Sequence, residues 1–496
     1  MYSRAIKRRE FLELAGGLAL GAGAVEALSG FRLDTASGPF RELAREIKGT
    51  VVTPSSSGYA KDKLSYNTRF DGAHPRAIAY CASAEDVQKT VRWAYKHGIR
   101  IVPRSGGHSY AGYSSTSSGV VVDVSRLKGV HASAGTATVG AGAHLIDVYA
   151  RLDPHGVTIP AGSCPTVGIA GLALGGGVGL AGRKLGLTSD NLVAVSLVTA
   201  DGKLLECSAH EHPDLFWACR GGGGGNFGIA ASFRFRTHQV GNVSYYRVIW
   251  PWSNATAALK AWQGFAPHAP DELFSTFFMG TTGPKGQGTE PAVGSGGQFF
   301  GSQAELTNLI APLTSAGPTH VTVGTLSYMD AMLRWAGCHS VPECDAGGQL
   351  TFKGKSDYVN QPLSDTGIAT LQSALEANQA NASLGRAQLI SDSYGGAINR
   401  VHPSETAFVH RNSLFSIQYV SAWNGGGSGD LQWLKNLYAA MRPHVSGFAY
   451  QNYIDPDLHT WKHAYYGSNF KRLVAVKRKY DPHDTFRFAQ SIPTRV

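Results

Sequence analysis

Residues 103–114 read PRSGGHSYAGYS. A short apolar run, Arg100-Ile101-Val102-Pro103-Arg104, ends at two glycines, and a single histidine, His108, follows at once. A histidine so placed can be a metal ligand, a general base, a cofactor attachment point or a buried spectator. The text around it predicts α/β structure. Ala77-Ile78-Ala79-Tyr80 reads as a strand, and Ser83 as the N-cap of a helix with Glu85 and Asp86 in its first turn. Val87, Val91, Ala94 and Tyr95 give that helix an apolar face, and Gly98 ends it. Another strand follows at 119–124 (GVVVDV). Strand, helix, strand, glycine loop, strand is an order that places a ligand site at strand ends.

The whole chain has 496 residues, too many for one ordinary domain, so two are expected. Its 61 glycines exceed the usual share of about 7% and concentrate at 171–182 (GLALGGGVGLAG) and 221–225. Concentrated glycine lets backbone approach a ligand closely. No period of twenty to fifty residues repeats, which sets solenoids and propellers aside. Net charge is +10, but basic and acidic residues are interspersed and the densest basic run, Lys477 to Lys479, is short. A nucleic-acid surface is therefore not expected. The stretch 470–480 reads as a helix with a solvated basic face over an apolar stripe.

The six cysteines show no CxxC spacing and join no histidine cluster of zinc-site spacing, so no metal site is expected. Cys338 and Cys344 either close a small disulfide or stay free thiols. At the N-terminus, Arg8 and Arg9 precede a weakly apolar, Gly/Ala-rich run to Ala27. Residues 1–30 look like a twin-arginine export signal, which implies the twin-arginine machinery as partner and an exported bacterial protein, or a cytoplasmic one if the leader is unused. The run is too short and glycine-rich to span a bilayer, and no stable membrane insertion is expected.

Residues 161–191 read AGSCPTVGIAGLALGGGVGLAGRKLGLTSDN. Such repeated small residues let N–H groups bond a pyrophosphate, yet a Rossmann fingerprint fails for want of an acidic residue about 20 positions on. From about residue 240 the texture changes. Strand-like runs (SYYRVIW, LFSTFFMG, SGGQFFG) alternate with helix-like ones (AELTNLIAPLTSA, TGIATLQSALEANQA), predicting an antiparallel sheet with helices on one side.

In order along roughly residues 60 to 493, these segments resemble the berberine bridge enzyme-like oxidases, flavoproteins with a p-cresol methylhydroxylase-type FAD-binding domain. The matching text is PRSGGHSYAGYS (103–114), VVVDVSRL (120–127), AGSCPTVGIAGLALGGGVG (161–179), HPDLFWACRGGGGGNFGI (212–229), FKGKSDYV (352–359), YQNYID (450–455) and YYGSNFKRLVAVKRKYDPHDTF (465–486). The resemblance implies an α+β fold: a two-part FAD-binding domain at 40–239, a substrate-binding domain at 240–445, and a C-terminal segment, 446–496, packing back on the first domain. It implies FAD held at two points, by His108 in the GGHS loop and Cys164 in the GxCPTVG segment. Arg104, Ser105, Gly106, Gly107 and Ser109 resemble the loop cradling the pyrophosphate. Gly168, Gly171, Gly176 and Gly177 resemble its second wall, and Asn226, Gly228 and Ile229 the turn that closes on the cofactor.

On the substrate side, Tyr453 matches the family's usual catalytic tyrosine, with Tyr450 as the next choice. Gln418 matches a position near the base or flavin, and Tyr110 and Tyr394 are expected to line the pocket. The chain also departs from the family pattern. Leu172 stands where many members have histidine and Val178 where many have an aromatic, while Ser416 replaces a lysine found in some relatives. Val167 matches a site that gates oxygen. The implied activity is hydride removal from a sugar or secondary-alcohol carbon of a small-molecule substrate, with O2 as acceptor and H2O2 as product. Two other readings stay open at this level: a flavin dehydrogenase using another acceptor, and a low-turnover flavoprotein that binds a ligand or second cofactor.

Overall fold

The computed structural model describes residues 38–495. The twin-arginine reading of residues 1–30 lies outside them. The first lobe carries two sheets. In one, β1 (Thr50–Val52), β2 (Ala77–Tyr80), β3 (Arg100–Arg104) and β4 (Gly119–Asp123) run in the order β1-β2-β4-β3, with β2, β4 and β3 parallel. The helix α1 (Ala84–Lys96) crosses over between β2 and β3, capped by Ser83, whose side chain accepts from Asp86 N. Asp86 itself is buried and accepts three backbone N–H groups, from Lys48, Gly49 and Ala82. Val87, Val91 and Ala94 face the core as expected, but Tyr95 does not. It is 63% exposed, one position round the helix from the buried stripe.

The second sheet is antiparallel: β5 (Val130–Ser133), β6 (Thr136–Gly140), β7 (Leu192–Val198), β8 (Leu204–Ser208) and β9 (Ile229–Arg236), in the order β5-β6-β9-β7-β8. Between them come α2 (Leu145–Leu152) and the short α3 (Ile169–Leu174).

A seven-stranded antiparallel sheet follows. Its strands are β10 (Val243–Trp250), β11 (Leu273–Gly280), β12 (Ala292–Phe299), β13 (His320–Leu326), β14 (Phe352–Val359), β15 (Arg386–Ser393) and β16 (Phe415–Ala422), ordered β13-β10-β12-β11-β15-β16-β14. Period-two alternation divides its side chains. One set, including Val248, Phe277, Leu389 and Ile417, packs with residues of α4 (Ala255–Phe265), α6 (Asp365–Ala380) and α7 (Ser428–Met441). The other set, including Phe274, Thr276, Gln388, Ile390, Asp392, Gln418 and Val420, faces a cavity against the first lobe. Helix α5 (Tyr328–Ala336) touches β10, β13 and α2.

The C-terminal segment returns to the first lobe. Leu473 and Val474 of α8 (Phe470–Tyr480), with Phe486 and Ile492, share a core with Phe216, Phe227 and Ile229. The reading of α8 as a solvated basic face needs correcting at Lys477. This side chain is fully buried, and Nζ donates to Asn226 O (2.9 Å), Phe486 O and Asp481 Oδ2 (2.7 Å). Cys338 and Cys344 form a disulfide. No helix among the described residues is long and apolar enough to cross a membrane.

Candidate active site

Two glycine loops make one wall of a cavity of about 400 Å³. At their joint, a Cβ on Gly106 would strike the backbone nitrogen of Gly168, and one on Gly168 the backbone nitrogen of Gly106 as well as Ser105 Oγ, so backbone lies on backbone and both positions require glycine. The loop after β3 brings Arg104, Ser105, Gly106, Gly107, His108, Ser109 and Tyr110 to the cavity. The loop before α3 and α3 itself bring Cys164, Val167, Gly168, Gly171 and Leu172, and Val178 follows. Asn226, Gly228 and Ile229 line it as well. Asn226 is anchored on every side: Nδ2 donates to Gly222 O, Oδ1 accepts from Ile492 N, and the carbonyl accepts from Lys477.

Three expected residues stand elsewhere. Gly176 and Gly177 turn away from the cavity, since a Cβ on Gly176 would strike Phe408 and one on Gly177 would strike Thr188. Their work is structural, and Gly177 N donates to Tyr450 OH (3.0 Å). Tyr394 is fully buried, its hydroxyl 3.0 Å from that of Tyr358, in an aromatic cluster behind Tyr450.

His108 stacks on Tyr66 with ring centroids 4.0 Å apart. Its Nε2 pairs with Thr166 Oγ1 at 2.9 Å, leaving Nδ1 as the nitrogen for other chemistry. Burial, with the charge of His144 nearby, holds the imidazole at about 3, so it is neutral and nucleophilic at ordinary pH. The Cys164 side chain opens into the same cavity. Burial and the Asp392 carboxylate push its thiol up.

Opposite lies the sheet face. Gln418 Nε2 donates to Tyr110 OH, and Tyr110 stacks on Tyr453, centroids 5.1 Å apart. Tyr453 is held from behind by its neighbours in sequence: Gln451 Nε2 donates to Gly175 O (2.7 Å), and Asn452 Nδ2 to Leu172 O (3.0 Å) and Tyr450 OH (2.8 Å). Burial, then Tyr110 and Asp392, push the Tyr453 phenol well above its usual value. Burial, then Cys164 and Tyr66, push the Tyr110 phenol well above its usual value too. Neither phenol ionises readily here.

Sequence reasoning missed Asp392. It lines the cavity beside Thr276, its partner on β11, and opposite Ser416, its partner on β16. Burial raises its carboxyl to about 6, with the Thr276 hydroxyl partly offsetting that. The lysine that some relatives place at 416 would stand beside it. Serine offers no charge to pull the carboxyl down. Period-two alternation in RAQLISDS, which puts Gln388, Ile390 and Asp392 on one face, is the signal from which it was readable.

The glycine wall fits FAD. Arg104 is anchored through Nε on Asp123 and Nη2 on Asp62 O, while its buried Nη1 has no partner among the described residues, as an anion-binding donor should. A Cβ on Gly171 would meet nothing within 4 Å, so glycine there keeps open a space that any side chain would fill. One further cluster of metal-ligating atoms exists among the described residues, His144, Asp147 and Asp345, within 4.8 Å of one another and partly exposed.

Comparisons with known proteins agree with this geometry. Residues 75–208 match the FAD binding domain model, and residues 449–493 the berberine and berberine-like model. The FAD-linked oxidoreductase YgaK of Bacillus subtilis is 35% identical over 90% of this chain and 97% of its own length. A monolignol oxidoreductase of Arabidopsis thaliana is 33% identical over 83% of this chain and 82% of its own. Among solved structures, BBE-like 1 of Physcomitrella patens superposes with a TM-score of 0.85 and 36% identity, covering 93% of this chain and all of that one. A chitooligosaccharide oxidase superposes with 0.82 and 28%, covering 92% and 99%. Identity of that order over nearly the whole length, with both family segments in place around one cavity, makes this chain a member of the berberine bridge enzyme-like family of FAD-linked oxidoreductases.

Proposed function

We propose that the protein is an oxidase of CH–OH groups in sugars or related alcohols, with FAD joined to both His108 and Cys164. The observation that carries this reading is the convergence on one cavity of His108, Cys164, Tyr453, Gln418 and Asp392. FAD held by these residues would supply a two-electron acceptor for the hydride of the carbinol carbon, with O2 as the final acceptor and H2O2 as product. The chain's own residues handle the proton. Asp392, ionised above about 6, accepts it from the substrate hydroxyl, in place of a tyrosine that would have to be ionised at great cost. Tyr453, Tyr110 and Gln418 form a stacked, hydrogen-bonded panel that orients the hydroxyl. Val167 at the cavity wall is small enough to admit oxygen. Two of the similar proteins are named for chitooligosaccharides and for monolignols, both hydroxyl-bearing compounds.

Anaerobic stopped-flow mixing with a panel of sugars and alcohols tests the reading. We expect flavin bleaching with at least one, and rapid recovery with H2O2 release on admitting air. Bleaching without reoxidation by air would instead identify a dehydrogenase, and no bleaching by any compound would overturn the enzyme reading. Attachment is tested by the mass of the intact denatured protein. The added mass of FAD should persist in His108→Ala and in Cys164→Ala and vanish only in the double variant. Export through the twin-arginine machinery is proposed from the leader at 1–30 alone, and the Cys338–Cys344 disulfide accords with an oxidising compartment.

A further inference from the structure

Outside the cavity, two segments meet behind the cofactor loops. The first is the start of α2. Leu145 N and Ile146 N donate to Val167 O and Pro165 O, and His144 bridges to Gly168, which stitches α2 to the segment carrying Cys164. The second is the loop closed by Cys338 and Cys344, whose short helix Val341–Asp345 ends in an acid. Both cysteines pack with Ile146. Beyond them the chain runs to Leu350, whose N–H donates to the carbonyl of Tyr66, the residue stacked on His108. This strap therefore reaches from the base of the Cys164 segment to the neighbour of His108.

Where the two segments meet, His144, Asp147 and Asp345 bring one imidazole nitrogen and two carboxylate oxygens within 4.8 Å of one another, with His144 Nδ1 3.2 Å from Asp345 Oδ1. None of the three lines the cavity. An acid in a first helical turn ordinarily accepts from the free amides there. Those of Leu145 and Ile146 are already taken by the Cys164 segment, and Asp147 accepts no hydrogen bond and joins no ion pair among the described residues. Lys128 and Arg151 act on it only from a distance. Its near neighbour is instead a second carboxylate, with one imidazole between the two to share. A divalent cation there would turn that repulsion into attraction. The N-terminus of α2 carries about half a positive charge against it, and two full negative charges outweigh that. One nitrogen with two carboxylates is a donor set for Zn2+ and its first-row neighbours, whereas Ca2+ and Mg2+ take oxygen ligands. Bonds of about 2.0–2.2 Å would draw the three atoms to about 3.4 Å apart, a closure of about an ångström that partly exposed side chains can make. Water completes the coordination from the open side.

We propose that His144, Asp147 and Asp345 form a site for one divalent transition-metal ion of the zinc type, which clamps the disulfide strap to the base of the Cys164 segment. The ion is structural, set outside the cavity, and the proposal does not depend on the oxidase reading. The test uses the flavin-loaded protein, stripped with EDTA, dialysed and titrated calorimetrically with ZnCl2, and separately with CaCl2 and MgCl2. Zinc should saturate at one ion per chain and bind at least about tenfold more tightly than either oxygen-preferring ion. His144→Ala and Asp345→Asn should each weaken zinc binding by about tenfold or more, since each removes one of three protein ligands. His210→Ala, an exposed histidine outside the cluster, should leave it unchanged. Amide hydrogen exchange places the ion: zinc should slow exchange at 144–147 and 338–350 in the wild type and not in His144→Ala. The flavin absorbance spectrum reports whether each variant is folded. If His144→Ala fails to fold, Asp147→Asn and Asp345→Asn carry the test by the same loss of affinity. No saturable zinc binding at one ion per chain, equal affinity in the wild type and the cluster variants, or protection confined to other segments would overturn the site. Tighter binding of Ca2+ or Mg2+ than of Zn2+ would overturn the class of ion. None of these results bears on flavin reduction by alcohols, so the oxidase reading stands or falls separately.

Discussion

Asp392→Asn should lower the rate of flavin reduction at pH 7 by about a hundredfold to ten-thousandfold, the range spanned by loss of a general base. Asparagine keeps the size of the side chain and cannot accept a proton, so binding should change little and the loss should fall on kcat. Tyr453→Phe should cost less, because the phenol orients the substrate and is held against ionisation by burial, Tyr110 and Asp392 itself. A fall in Tyr453→Phe larger than in Asp392→Asn would return the role of base to the tyrosine. The stability effects separate these outcomes from misfolding. A carboxyl raised to about 6 in the folded protein is more protonated there than in the unfolded chain, which binds its proton near 3.8. Asp392 therefore lowers stability progressively as pH rises through that window, and the full penalty remains above it. Asp392→Asn removes the penalty, so the variant should melt no lower than wild type at pH 7.

Lys477→Met should destabilise the fold by about 3–5 kcal/mol. The ammonium is fully buried and joins three segments, donating to the carbonyls of Asn226 and Phe486 and to Asp481. Asp481 is buried too and also accepts from Phe486 N. Removing the lysine strands that carboxylate. The second variant Asp481→Asn, made on top of Lys477→Met, should recover part of the loss, which a purely steric defect would not allow. Because Asn226 O takes one of the lysine's hydrogen bonds, the cavity turn at 226–229 should loosen with it. Lys479→Met is the control. Its ion pair with Asp214 is largely exposed, and its melting temperature should stay close to wild type. Chemical denaturation of the four proteins measures the stabilities, a thermal scan the melting temperature of the control, and amide hydrogen exchange the loosening at 226–229.

Much of this architecture was legible from local patterns. The Ser83 cap, the strands ending at the GGHS loop and the helix–sheet alternation after residue 240 each follow from near neighbours, and all three appear as read. The misreadings share a different cause. Lys477 looks like its neighbours Arg478 and Lys479 in sequence, and only the return of the chain at Phe486 and the loop at Asn226 makes a dry socket for it. Tyr394 sits two residues beyond Asp392, on a strand where that spacing repeats the face. The strand ends at Ser393, and the phenol turns into the cluster with Tyr358. Asp392 was hidden because its meaning depends on register: Thr276 on one side and Ser416 on the other are more than a hundred residues and twenty-four residues away, respectively. Lone acids on strands are common, and only strand pairing shows that this one faces the cavity that holds His108 and Cys164.

The measurement that bears most directly on the account is the pH dependence of anaerobic flavin reduction at saturating substrate, in wild type and in Asp392→Asn. The carboxyl must be ionised to accept a proton, so the wild-type rate should climb with pH and level off above about 6, and the variant should be slow with no rise near that point. A wild-type rate that keeps climbing toward pH 10, or the same break near 6 in Asp392→Asn, would contradict the assignment of the proton to Asp392.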